Sequence, residues 1–102
     1  MKAYNKLVRD NIPALIEGKG EKCLYHKAPG PEFYEKLKEK LREEVEEFLK
    51  DETEEEIADI YEVINAIIEA KGFDRSGIES LQRQKREEKG GFNEQLILDE
   101  AD

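Results

Sequence analysis

The sequence predicts a mainly α-helical fold built on an antiparallel helical hairpin, which can include a short two-stranded β-ribbon. Two stretches between residues 37 and 68 repeat apolar residues at steps of three and four, the spacing of amphipathic helices. A short polar stretch joins them, so the two helices should pack side by side in opposite directions. A third helical stretch follows from about residue 75 to residue 89.

The first helix of the hairpin carries its apolar stripe on Leu37, Leu41, Val45 and Phe48. It follows a Pro-Gly-Pro break in the chain. The last residue of that break, Pro31, suits the first turn of a helix because its missing N–H would have no partner there. We therefore expect this helix to begin at Pro31.

The second helix of the hairpin has two candidate N-cap residues, Asp51 and Thr53. Glu56 stands three residues after Thr53, which is the spacing of a capping box. Gly72 is a suitable residue to end the helix, because glycine readily adopts the left-handed conformation found there. The apolar residues of this helix are Ile57, Ile60, Tyr61, Ile64, Ile67 and Ile68.

Shorter elements flank the hairpin. A helical turn is expected to start at residues 11–13, where proline is tolerated, and to end at Gly18 and Gly20. Residues 22–27 and 93–99 each contain three consecutive apolar or aromatic residues near turn signals, which favours two short strands. Such strands could pair as a ribbon, which would have to pack on the helices because an isolated ribbon is marginally stable.

Chain length predicts one domain over residues 1–102, and composition limits the kinds of molecule that the protein is expected to bind. The net charge of −9 argues against a nucleic acid partner, because phosphates would be repelled. One cysteine, Cys23, cannot form an internal disulfide. No apolar run has the length of a membrane span or a signal peptide, so the expected location is the cytoplasm and no membrane partner is expected.

The acidic residues of the hairpin fall into two pairs spaced three apart. With Leu37 at zero and about 100° per residue, Glu44 projects at roughly 340° and Glu47 at roughly 280°, beside the apolar stripe. On the second helix, Glu56 and Asp59 lie inside and beside the apolar arc in the same projection. Both pairs should therefore lie close to the face where the two helices meet.

Four converging carboxylates would repel one another unless a cation neutralised them. Ligands that are all oxygen, without histidine or cysteine, favour a hard ion such as Mg²⁺, with Mn²⁺ as a second choice. The alternative is a solvated acidic surface, which is the ordinary outcome in a chain that is 42% charged.

Basic residues are candidates for phosphate contacts. Lys6 and Arg9 stand three apart near the start, and the guanidinium of Arg9 offers the better fork for a phosphate. Arg83, Arg86 and Lys89 make the third helical stretch the main basic element of the chain. The alternative is that these residues only pair with neighbouring acids and balance charge.

The acidic segments resemble a known signature. Residues 43–47 (EEVEE) followed by residues 56–59 (EIAD) look like the E-E-x-x-E … E-x-x-D motif of the all-α nucleoside triphosphate pyrophosphohydrolase superfamily, which includes the MazG proteins. Residues 4–13 (YNKLVRDNIP) and 89–92 (KGGF) resemble the small phosphoribosyl-ATP-pyrophosphohydrolase-like proteins, so the likeness covers nearly the whole chain. One departure is that only eight residues separate Glu47 from Glu56. Many members have a longer loop there, which helps to shape the base pocket.

The resemblance implies an all-α NTP-pyrophosphatase fold and Mg²⁺-dependent hydrolysis of a nucleoside triphosphate, or a phosphoribosyl-ATP-like nucleotide, to monophosphate and pyrophosphate. Glu44, Glu47, Glu56 and Asp59 would then be the metal ligands. Glu43, next to them, would orient or deprotonate the attacking water. Assembly as a homodimer or larger homo-oligomer is also implied, because neighbouring subunits often complete the bundle in this superfamily.

Two other interpretations stay open. A carboxylate-bridged di-iron or di-manganese bundle usually adds a Glu-x-x-His pair on two helices, whereas this chain has one histidine, outside the hairpin. The other is a non-catalytic helical module, in which the acids would bind a metal without turnover or would only form a charged surface beside the site for a protein partner.

Overall fold

The computed structural model describes residues 2–102, and this part of the chain is helical without strands. The chain divides into two compact units, the first ending at Lys71 and the second running from Gly72 to Asp102. The predicted mainly α-helical class is confirmed, whereas the single domain over residues 1–102 stays a prediction. The helices are α1 (Ile12–Gly18), α2 (Gly30–Asp51), α3 (Glu54–Lys71) and α4 (Arg75–Lys89).

The helices α2 and α3 pack against each other, and only Glu52 and Thr53 join them, so they form the predicted antiparallel hairpin. Glu52 ends α2 in the left-handed conformation, with φ 50° and ψ 46°, and its N–H donates to the carbonyl of Phe48 at 2.7 Å. Thr53 caps α3, because its Oγ1 accepts a hydrogen bond from the Glu56 N–H at 3.4 Å. The helix α2 begins at Gly30, one residue before the predicted Pro31.

The buried apolar residues lie toward the open end of the hairpin, away from the connection. Leu37 of α2 is 1% exposed, and Val63 and Ile68 of α3 are also buried. The Tyr34 ring lies between the ammonium groups of Lys38, at 5.1 Å, and Lys71, at 4.8 Å, and so joins the two helices there. The most deeply buried apolar side chains are thus concentrated toward this end, and those near the connection, such as Phe48 and Ile57, are half-buried.

An irregular N-terminal segment, residues 2–9, precedes α1 in the first unit. Lys36 of α2 anchors this segment by donating a hydrogen bond from Nζ to the carbonyl oxygen of Asn5 at 2.7 Å. The thiol of Cys23 lies 3.9 Å from the carbonyl oxygen of Pro13, so the chain between α1 and α2 returns to the start of α1. The N-terminal segment is thus held at Asn5 and the chain between α1 and α2 at Cys23, although neither forms regular secondary structure.

The predicted two-stranded ribbon is wrong for the described chain, since neither residues 22–27 nor residues 93–99 form a strand. Leu24 and Leu96–Leu98 are each more than 80% exposed. Short apolar runs become strands only when a pairing partner and a packing surface are available, and neither run is buried against one.

The second unit consists of α4 and the residues on either side of it. Gly72, at φ 68°, follows α3 as predicted, and Gly90, at φ 85°, ends α4 by donating its N–H to the Arg86 carbonyl at 2.8 Å. The bounds of α4 agree with the predicted helical stretch. Across residues 2–102, none of the helices combines the length and the apolar character that a membrane crossing requires.

Candidate metal centre

Carboxylates from both helices of the hairpin converge near the connection. Oxygen atoms of Glu44, Glu56 and Asp59 all lie within 4.8 Å of one another. Glu44 belongs to α2, whereas Glu56 and Asp59 stand three residues apart in the first turns of α3. The helical projection of the sequence predicts this convergence, because it places these acids beside the faces that meet.

A second group of carboxylates shares Glu56. Oxygen atoms of Glu47, Asp51 and Glu56 also lie within 4.8 Å of one another, so Glu56 stands between the two groups. Asp51 was predicted only as a helix cap, although it follows Glu44 by seven residues and projects at about the same angle, roughly 320°. The spacing of seven residues from Glu44 predicts that Asp51 lies on the same side of α2 and so joins these acids.

Glu44 is the buried charged residue of the described chain, and its counter-ion is Lys40. Lys40 Nζ lies 3.3 Å from Glu44 Oε1 and 3.6 Å from Glu43 Oε2. Lys40 was missed by sequence analysis, although its spacing of three and four residues from these acids is the spacing of helical ion pairs. A buried carboxylate needs such a partner, and the pair explains why Glu44 is tolerated at this position.

Glu56 is surrounded by other carboxylates, and their negative charges make its own ionisation less favourable. Partial burial raises the pKa of Glu56 above its usual value, and the neighbouring charges of Asp59, Glu47, Glu44 and Asp51 raise it further. A bound cation would remove both penalties, because it offers the carboxylate a partner and offsets the repulsion.

Two basic residues of the N-terminal segment form ion pairs with acids of the hairpin. Lys6 Nζ donates a hydrogen bond to Glu43 Oε1 at 3.0 Å, and Arg9 Nη2 donates to Asp59 Oδ1 at 2.7 Å. Burial opposes ionisation of Glu43, but the hydrogen bond from Lys6 and the charge of Lys40 outweigh it, so the pKa of Glu43 is lowered. The hydrogen bond to Glu43 in turn raises the pKa of Lys6.

The remaining predicted basic residues belong to the second unit. Arg83, Arg86 and Lys89 are exposed on α4, and Arg83 and Arg86 line a shallow depression together with Glu79 and Gln82. Their contact with a phosphate stays a prediction.

The single histidine lies elsewhere in the first unit. His26 Nε2 is 3.0 Å from Glu32 Oε2, in the first turn of α2 and so at the open end of the hairpin. No histidine or cysteine joins the carboxylate groups in the described chain. This donor set disfavours the di-iron bundle and zinc, and it fits a hard divalent ion such as Mg²⁺.

No protein-family model, curated protein or solved structure significantly matches the chain. Membership of the pyrophosphohydrolase superfamily therefore stays a prediction. It rests on the motifs at residues 43–47 and 56–59 and on the two flanking segments.

Proposed function

We propose that this protein hydrolyses a nucleoside triphosphate, or a phosphoribosyl-ATP-like nucleotide, to the monophosphate and pyrophosphate in a Mg²⁺-dependent reaction. The observation that supports it most is the convergence of Glu44, Glu56 and Asp59 from two helices to within 4.8 Å. An acid that only solvates the surface would not need to be buried, whereas Glu44 is buried at this site. The motif at these same residues is the second support.

The metal ligands in this proposal are Glu44, Glu47, Glu56 and Asp59, with Asp51 added from its position beside Glu47 and Glu56. When bound, Mg²⁺ (or Mn²⁺) would neutralise charge on the phosphate oxygens and make the phosphorus more open to attack. The helices hold the ligands in place, since the short connection and the Thr53 cap fix the two pairs against each other.

Glu43 is the proposed residue for the attacking water. It follows Lys40 and precedes Glu44 on α2, and its carboxylate is partly exposed beside the acidic groups. A carboxylate there can accept a hydrogen bond from a water and hold its lone pair toward the α-phosphorus. Lys6, which now pairs with Glu43, and Arg9 are the proposed contacts of the phosphates, and Arg83, Arg86 and Lys89 are further candidates.

The proposed specificity is broad. The chain has no tryptophan, and the two-residue connection between α2 and α3 offers little material for a base pocket. Phosphates and metal, which all nucleoside triphosphates share, would then supply most of the binding energy. One substrate preferred by several orders of magnitude would contradict this expectation.

The test measures pyrophosphate and inorganic phosphate released from a panel of triphosphates and phosphoribosyl-ATP at fixed Mg²⁺. Pyrophosphate should be the first product, and Glu44→Gln should abolish its release. Glu46→Gln is the matched control, because Glu46 is an exposed acid on the same helix. Inorganic phosphate as first product would contradict the proposal. Mg²⁺ binding without turnover of any substrate would support the non-catalytic metal-binding module instead.

We also propose that the protein acts as a homodimer or larger homo-oligomer in the cytoplasm. The hairpin leaves apolar side chains exposed that a second copy could cover. Sedimentation at low micromolar concentration tests this, and a fully active monomer would contradict it. The exposed apolar residues of the hairpin are Val45, Leu49, Tyr61 and Ile64.

A further inference from the structure

We infer that Lys6 and Arg9 are exchangeable counter-ions, which neutralise Glu43 and Asp59 in the metal-free protein and transfer to the substrate phosphates when Mg²⁺ loads the site. The inference rests on the proposed function. It adds a competition between the protein's own cations and the metal, and so a coupling between metal binding and nucleotide binding.

The contacts of these two residues are short but exposed to solvent. Lys6 Nζ lies 3.0 Å from Glu43 Oε1 and Arg9 Nη2 lies 2.7 Å from Asp59 Oδ1, with 45% and 55% of the two basic side chains exposed. Ion pairs in such surroundings contribute little to stability and are screened by salt. Breaking them therefore costs little.

Lys40 is a counter-ion of a different kind. It projects from the same helix as Glu43 and Glu44, and only 18% of its side chain is exposed. Its helical spacing from Glu44 and its burial make it harder to displace than Lys6 or Arg9, which come from a separate segment. The acids thus have one fixed cation and two that can leave.

Arg9 competes with a metal at Asp59. The guanidinium already donates to Asp59 Oδ1, and a divalent cation at the same carboxylate would lie close to a like charge. Metal binding must therefore displace Arg9 or bear this repulsion. Removing the charge of Arg9 should for this reason strengthen Mg²⁺ binding.

The displaced cations would stay beside the acids, within reach of phosphates bound to the metal. The N-terminal segment would stay attached, because Lys36 Nζ donates to the carbonyl of Asn5 at 2.7 Å, and only the side chains of Lys6 and Arg9 need to change rotamer. Phosphate oxygens then replace the carboxylates as their partners, and the planar fork of Arg9 suits phosphate as well as it suits Asp59.

Exchange predicts two effects of opposite sign in Arg9→Gln. Mg²⁺ affinity should rise by roughly fivefold, at the lower end of typical coupling between two sites. The affinity for a triphosphate at saturating Mg²⁺ should fall by a similar or larger factor. A residue that only contacts phosphate would weaken nucleotide binding without changing Mg²⁺ affinity, and a merely structural residue would not strengthen either.

The experiment is calorimetric titration of Mg²⁺ into wild type, Arg9→Gln, Lys6→Gln and Arg9→Lys, followed by titration of α,β-methylene-ATP at saturating Mg²⁺. Lys38→Gln is the control, because it removes the same charge from an exposed α2 pair with Glu35 at 2.8 Å. Arg9→Gln should bind Mg²⁺ more tightly, and Arg9→Gln and Lys6→Gln should both bind the analogue more weakly. Arg9→Lys and Lys38→Gln should keep Mg²⁺ affinity close to that of wild type.

Unchanged or weaker Mg²⁺ binding by Arg9→Gln, in a protein whose wild type binds Mg²⁺, would overturn the inference and leave the proposed function standing. A wild type that binds no Mg²⁺ would overturn both. Melting curves in chelator show whether each variant is folded, and Arg9→Ala, which also removes the charge, takes the place of Arg9→Gln if that variant does not fold.

Discussion

Lys40→Met should destabilise the metal-free protein by leaving Glu44 charged and buried without its counter-ion. Lys40 Nζ lies 3.3 Å from Glu44 Oε1, and the two side chains are 18% and 10% exposed. Methionine keeps the length and packing of the lysine stem while removing its charge. The variant therefore isolates the electrostatic contribution of Lys40.

The size of the effect follows from the distances. At an effective dielectric constant of about 20, a pair of unit charges 3.3 Å apart attracts with about 5 kcal/mol. Rearrangement of the side chains and entry of water offset part of this loss, so we expect a net cost of about 2–3 kcal/mol. That is a large share of the stability of a small domain, which is about 5–10 kcal/mol.

Urea denaturation in chelator measures this cost for Lys40→Met, Glu44→Gln and the double variant. The double variant should be more stable than Lys40→Met, because no charge is then left unpaired. Added Mg²⁺ should raise the midpoint of Lys40→Met more than that of wild type, since the metal replaces the missing cation. A Lys40→Met variant within about 0.5 kcal/mol of wild type would refute the reasoning, because surface substitutions have effects of that size.

Three further predictions concern the same hairpin. Glu47→Gln should abolish turnover and weaken Mg²⁺ binding. The melting temperature without metal should stay unchanged or rise slightly, because one of several repelling acids is removed. Full activity of this variant would exclude Glu47 as a ligand. The raised pKa of Glu56 means that the folded state binds its proton more readily than the unfolded state. The free energy of unfolding of the metal-free protein should therefore rise as the pH falls from neutral through the pKa of Glu56. At lower pH it should fall again as the pH passes through the lowered pKa of Glu43, because protonation removes the charge that pairs with Lys6. Melting temperature against pH should pass through a mildly acidic maximum whose rise disappears in Glu56→Gln, and a steady fall in wild type would contradict this. Glu52→Gly should stabilise by about 0.5 kcal/mol in urea denaturation, because glycine removes the cost of φ 50° but adds chain entropy to the unfolded state; a less stable variant would show that the Glu52 side chain itself stabilises the turn.

Helices and their acids could be predicted from the sequence because both depend on near neighbours. The stripe through Leu37 and the cap at Thr53 are local patterns, and so is the convergence of Glu44 with Glu56 once a short connection makes the helices antiparallel. Lys40 and Asp51 were equally accessible, since each stands at helical spacing from an acid already singled out. Both residues lie outside the two acid pairs spaced three apart, so the pair pattern alone does not single them out.

The path of the N-terminal segment could not be predicted in the same way. Residues 2–9 have no periodic pattern, and their contacts with Glu43 and Asp59 cross long stretches of sequence. The wrong prediction of a ribbon has the same origin, because residues 22–27 and 93–99 would pair only if the tertiary fold brought them together. Local patterns cannot decide either question.

The two-residue connection at Glu52 and Thr53 has a consequence for how such a centre can arise and spread. All the clustered carboxylates come from one uninterrupted stretch of chain, from Glu44 to Asp59. The carboxylates of such a centre can be copied together into another helical hairpin, because no distant part of the polypeptide supplies a ligand. Its ligands also meet as soon as one turn closes, so during folding the metal can be captured by a nascent hairpin before the remaining chain has found its place.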